Sequence, residues 1–351
     1  METEKLTAKK FTMNVLNGLA IGTVIALIPG ALLGELFKAL LGVFPQGQVI
    51  LNATSMATSV LGLVVGVIIG YQFKFTPIQS ASIGLAVLFG GGAVNFSEGA
   101  MTLSGTGDVI NMGITGAIAA GLVLLLGNRL KAYSILLIPT IILVVAGGLG
   151  VFLLPYVAHI TTLIGMFVAQ LLNFQPIIMS ILIAITFSLL IVSPITTVGI
   201  AVAISLTGLG AGAGNLGICA AGFGLAIAGW KVNPIGTNLA HFIGSPKMSM
   251  PNFFAKPKIM IPIICNAACV GILAAVFNIQ GTPMSAGFGF SGLVGPINHI
   301  NLVEGGWTIM NVMVTTGVFV IAPVVFGIIF NHLFTKVWPI ISPEDYKLDI
   351  E

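Results

Sequence analysis

Between Glu35 and Glu304 the chain has two acidic residues, Glu98 and Asp108, and the sequence around them is a succession of apolar runs. Crossing a bilayer takes about 20 apolar residues, and in lipid every backbone polar group must find its partner inside the protein. Such a chain folds as helices packed in a membrane. Composition agrees: 57% of residues are hydrophobic, 7% are charged, and the mean hydropathy is +1.11, so a water-facing surface cannot be covered. The expected fold is an all-α, polytopic membrane protein of about ten transmembrane or re-entrant elements, with hairpins.

Several function classes drop out. The formal net charge of +3 comes mostly from lysines near span ends, which bears on membrane orientation and not on nucleic acid. Cys219, Cys265 and Cys269 sit in apolar runs as small hydrophobes, without metal-ligand neighbours or a disulfide framework. No metal or cofactor is expected. A nucleophile–base–acid set, a phosphate-binding Walker loop and an HExxH pattern are all missing, as is any repeated filter-like segment of an ion channel.

Taken in order, Lys5, Lys9 and Lys10 precede a first span, Phe11 to Leu27, which is not expected to be cleaved and which places the N-terminus in the cytoplasm. Pro29-Gly30 is expected to end it, and Gly30 to Phe44, with Glu35 and Lys38 at i,i+3, to form a separate interfacial or packed helix. Spans follow over Val49–Tyr71, Pro77–Val94, Ile110–Leu126 and Ser134–Leu154, then an amphipathic connector over Tyr156–Asn173. Asp108 reads as a helix N-terminal carboxylate, whereas the isolated Glu98 is a candidate proton or cation site. After Pro176–Val192, two apolar arms of about 13 to 15 residues, short for a crossing, flank GLGAGAGNLG; they predict half-helices meeting at a glycine turn. Close helix packing through small residues is the alternative. The last spans are Ile261–Phe277 and Thr308–Phe330, ahead of a polar tail expected to be cytoplasmic.

Polarity is concentrated in Lys231–Pro262, KVNPIGTNLAHFIGSPKMSMPNFFAKPKIMIP. An irregular segment of this kind either leaves the bilayer or lines a wet cavity in it, and it is the expected functional centre.

Four stretches together resemble the enzyme IIC permease of the bacterial phosphoenolpyruvate-dependent sugar phosphotransferase system, in the stand-alone branch of the perfringolysin-regulator-like proteins. They are SGTGDVINMGITGAI, FQPIIMSILIAITFSLLIVSPI, GLGAGAGNLG and FIGSPKMSMPNFFAKPKIMIP. The resemblance covers most of the chain. It implies a bacterial cytoplasmic membrane, a small sugar or sugar-like solute, separate IIA and IIB phosphotransferase proteins, surrounding membrane lipid and a homodimer. Its division of the chain is 1–175 for scaffold and dimerisation, 176–305 for a hairpin-bearing substrate region, and 306–351 for the last span and tail.

The departures from the family pattern fall on its chemistry. Where that pattern places a glutamate before proline this chain reads Gly244-Ser245-Pro246, and Ser193 stands where many members carry histidine. No residue is therefore assigned a catalytic role, and phosphoryl transfer would require a separate IIB protein. The candidate solute-binding residues are Ser193, Asn215, Asn233, Thr237, Asn238 and Ser245 as neutral donors and acceptors, with His241 and Lys247 as switchable or positive groups. Two alternatives to a sugar permease stay open: a phosphorylation-independent transporter of an anionic metabolite, suggested by Lys247, and a membrane regulator or sensor on the same scaffold.

Overall fold

In the computed structural model, which describes residues 6–97, 99–126, 129–130 and 133–348, the chain is 77% helical. Its fourteen helices among the described residues are α1 (Ala8–Leu40), α2 (Gln48–Ser59), α3 (Leu61–Gln72), α4 (Pro77–Gly90), α5 (Val109–Leu126), α6 (Ser134–Leu171), α7 (Pro176–Leu190), α8 (Thr197–Ala203), α9 (Gly208–Gly229), α10 (Ile235–Ile243), α11 (Met250–Ala255), α12 (Pro257–Val276), α13 (Val294–Leu302) and α14 (Ile309–Val337). A single hairpin, β1 (Val94–Ser97) with β2 (Ala100–Leu103), pairs Val94 with Leu103. Six helices, α1, α5, α6, α9, α12 and α14, are long and apolar enough to cross a membrane. The helical stretch Pro45–Ser59 and α3, bent by 54° at their junction, make a seventh if counted as one span; α4 and α7 are shorter apolar helices. The protein is an all-α, multi-pass membrane protein.

Local signals start several helices. Thr76 and Gln79 form a reciprocal capping box ahead of α4, Asp108 Oδ1 accepts from the Asn111 amide at 2.9 Å, and Thr308 Oγ1 accepts from the Asn311 amide.

Three expected boundaries are corrected. The first helix does not stop at Pro29: α1 runs unbroken to Leu40, and Glu35 pairs with Lys38 at 2.7 Å on that same helix. Likewise α6 continues through Pro139 and Pro155 to Leu171, widening into a π-turn over Ile142–Gly147, so Tyr156–Asn173 is not a separate connector. A proline removes one donor, and helices in apolar surroundings tolerate it through local π adjustments and neighbouring groups. The expected single span Val49–Tyr71 is instead the bent pair of α2 and α3.

The chain divides into two compact units. One gathers residues up to Leu27 with Asn52–His159. Its helices touch at small residues: a Cβ on Gly66 would lie 2.6 Å from the Gly84 Cα, so α3 and α4 meet backbone to backbone. Buried Asn111 of α5 donates from Nδ2 to the carbonyls of Gly90 (2.6 Å) and Gly150 (2.8 Å), tying α4, α5 and α6 together.

The second unit holds Ile28–Leu51 and Ile160–Leu348. At its centre α9, apolar on every side and almost wholly buried, packs against α7, α12 and α14. Here the predicted glycine turn is overturned: GLGAGAGNLG opens a continuous 22-residue helix. The glycines serve packing, since a Cβ on Gly212 would fall on the Ile279 carbonyl oxygen and one on Gly217 on that of Ala184.

Candidate functional site

Within the second unit, α7 ends at Leu190, and Ser193-Pro194 just beyond keeps the chain out of helix, because proline disfavours helical backbone in the residue before it. Helix ends leave orphan carbonyls carrying the negative end of the helix dipole. The Ser193 hydroxyl donates to Leu190 O at 2.7 Å. The carbonyls of Ser193 and Ile195 accept from Lys247 Nζ at 2.6 and 2.7 Å. A distant lysine thus holds the loop that follows α7.

Lys247 comes from a short 3₁₀ turn, Pro246–Ser249, whose start is held by the Ser245 side chain accepting from the Lys247 amide at 3.3 Å. Its side chain is 4% exposed, and no carboxylate pairs with it among the described residues. Burial disfavours the charged ammonium and pulls its pKa down to about 7.

His241 packs behind that turn. Nδ1 faces the Thr237 carbonyl at 3.0 Å, so it carries the proton, and Nε2 accepts from the Ser249 hydroxyl at 2.9 Å. Burial lowers its pKa to about 4 and keeps the ring neutral. It is a fully paired packing histidine.

A second polar cluster forms where α9 meets the segment between α12 and α13. Asn215, fully buried, accepts from the Gly289 amide at 2.9 Å and reaches Ser285 Oγ at 3.5 Å. Gly289 has φ +60°, and a Cβ there would press on Ile218, so only glycine brings its amide this close to α9. Thr282 donates its amide to Ser285 Oγ (2.9 Å) and Asn298 Oδ1 (3.0 Å), and the Gln280 amide donates to His299 Nδ1 at 3.0 Å. Burial lowers the His299 pKa. The two clusters are joined by Phe290, which meets the stacked pair Phe223–Phe242 at a tilt, with ring centroids 5.3 and 6.1 Å away, and by Ser291, whose hydroxyl reaches the carbonyls of Ile243 and Gly244.

Of the predicted residues, Ser193, Ser245, Lys247 and His241 therefore assemble around one turn, and Asn215 lies in the adjoining cluster. Ser193 contributes its carbonyl there, while its hydroxyl is spent on the Leu190 carbonyl at the end of α7. Three others go elsewhere. Asn233 binds the C-terminal tail, donating to Tyr346 O (2.9 Å) and accepting from the Leu348 amide (2.8 Å). Thr237 supplies a carbonyl to His241, and buried Asn238 donates to Asn233 O at 3.1 Å, its Oδ1 without a partner. Glu98 lies outside the described residues. Thr282, Ser285 and Asn298 were not among the candidates, and His299, read from the sequence as the neighbour of a helix cap, instead joins them; their polarity between Asn278 and Glu304 was the available signal.

A family model described as "Phosphotransferase system, EIIC" matches residues 13–348. No curated protein and no solved structure matches.

Proposed function

Because the chain belongs to the phosphotransferase system EIIC family, a membrane permease component that works with IIA and IIB partners on sugars, we propose that it translocates a small neutral sugar or sugar-like solute. The solute is carried by the second unit, between the Lys247 turn and the Asn215 cluster. One observation carries this reading: the polar groups gathered there are hydroxyls, amides and backbone groups, with one cation already bonded to two carbonyls. Such a set suits a polyol, whose hydroxyls both donate and accept. With Ser193 and Ser245 at the positions of the family's histidine and glutamate, the chain orients the solute through neutral groups, and the phosphoryl group comes from a separate IIB protein. A homodimer with both termini in the cytoplasm completes the proposal.

Lys247 supports a second reading, transport of an anionic metabolite, since a buried amine without a carboxylate partner is a site for negative charge. Thermal unfolding of the purified protein in detergent against neutral sugars, sugar phosphates and organic anions separates the two, because a ligand of the folded state raises the unfolding midpoint. Stabilisation by a neutral sugar is the expected result. A rise with anions only, lost in Lys247→Ala, selects the second reading, and no rise with any of them overturns both.

A further inference from the structure

We infer that Lys247 is a proton-binding site, its amine taking up and releasing a proton inside the folded second unit while staying bonded to the carbonyls of Ser193 and Ile195. The meaning of this for transport rests on the solute reading above; the proton site itself does not.

The geometry makes both charge states tenable. An ammonium offers three N–H groups and a neutral amine two, and the side chain meets two carbonyl acceptors here. Losing the proton therefore sacrifices neither hydrogen bond. The charged form is favoured by the two carbonyl dipoles it meets, those of Ser193 and Ile195, and opposed by near-complete removal from water. No carboxylate tips the balance towards the charged form among the described residues. The opposing influences meet near neutrality, as the lowered pKa of this amine reflects.

Lys247 is also isolated from other titrating groups. The turn that bears it packs against α9, α10 and α11. Of these, α9 contributes Cys219, α10 contributes His241, and α11 and the Ser193–Ile195 loop contribute none. His241 stays neutral down to about pH 4 with both ring nitrogens bonded. Among the described residues packed around this turn, the charge is then set by Lys247: positive below neutral pH, zero above it. A carrier whose interior switches between these states holds neutral and anionic solutes with a proton-dependent preference.

The test is a pH titration of the full-length protein in detergent with its lysines isotopically labelled at Cε and Nζ, followed by NMR, with the proton as the only ligand. One lysine resonance should titrate with a midpoint near pH 7, against about 10.4 for exposed lysines, and it should be missing in Lys247→Arg. If that variant does not fold, Lys247→Met supplies the assignment. A wild-type spectrum in which no lysine titrates below about pH 9 overturns the inference whatever the variants do. So does a neutral-range resonance that persists when Lys247 is replaced. Since no solute enters the titration, its failure is distinct from failure of the sugar panel.

Discussion

Lys247 holds its Nζ 2.6 Å from the carbonyl oxygen of Ser193, 54 residues earlier in the chain, and 2.7 Å from that of Ile195, 52 residues earlier. The lysine ties down the loop between α7 and α8 at long range and from a buried position. Its removal leaves two loop carbonyls without this donor. Lys247→Ala should therefore lower the unfolding midpoint in detergent, at a cost on the order of 1–3 kcal/mol for the groups left unpaired. An unchanged midpoint would show that these two bonds contribute nothing.

Close approach, and not a turn, is what the glycines of α9 provide. Gly212→Val and Gly217→Val each force a side chain into a backbone carbonyl, of Ile279 and Ala184 respectively. Both should cost at least about 1–3 kcal/mol, the range for overpacking, and shift the protein towards aggregates in size-exclusion chromatography. Gly236→Ala is the control: nothing lies within 4 Å of its added Cβ, so it should behave as wild type.

The C-terminal tail is fastened at several points. Asn233 grips it on both sides of Lys347, Asn252 Nδ2 donates to the carbonyls of Asp345 and Lys347, and the buried Tyr346 hydroxyl donates to Ile259 O at 2.8 Å. Asn233→Ala should speed proteolytic cleavage of the tail several-fold. Lys256→Ala should change it little, because the Lys256 side chain is 59% exposed and such ion pairs are worth about 0–1 kcal/mol.

Asp345 gives the tail a pH dependence. Burial alone would raise its pKa, but the bonds from Lys256 and Ser342 outweigh that and hold it below the usual carboxylate value. A lowered carboxylate stabilises the fold above its ordinary pKa of about 3.9 and loses that contribution as pH falls through the lowered value. Tail protection should thus be flat from pH 5 to 8 and decline only below about pH 4. Asp345→Asn should show no such decline.

In the first unit the expected weak point is Asn111. Asn111→Asp keeps the shape but replaces the Nδ2 donor with an acceptor facing the carbonyls of Gly90 and Gly150. The yield of monodisperse protein should fall below that of Asn111→Ala, because a buried carboxylate against two carbonyls is worse than a small cavity.

Much of this architecture could be read along the chain. Thr76 with Gln79, Asp108 and Thr308 start helices through bonds to residues three positions away, so their roles are visible in any short window of sequence. The apolar runs announced a helical membrane protein for the same reason: lipid admits few alternatives. The prolines misled because a break and a tolerated kink look alike until neighbours are known, as at Pro29 and Pro155. Glycine misled at GLGAGAGNLG because a missing Cβ permits both a turn and a tight crossing, and the Ile279 carbonyl that distinguishes them is supplied by another segment.

The sequence by itself determined the solvent this protein folds in, its helical class, its family pattern and the scarcity of charge that makes each interior polar group conspicuous. Only the tertiary structure decided what those groups do. It gave Asn233 to the tail, paired His241 with Ser249, and set Lys247 on the carbonyls of Ser193 and Ile195. The physical reason is range: hydropathy and capping are properties of neighbouring residues, whereas a buried amine takes whichever acceptors the packing of distant helices leaves without a partner.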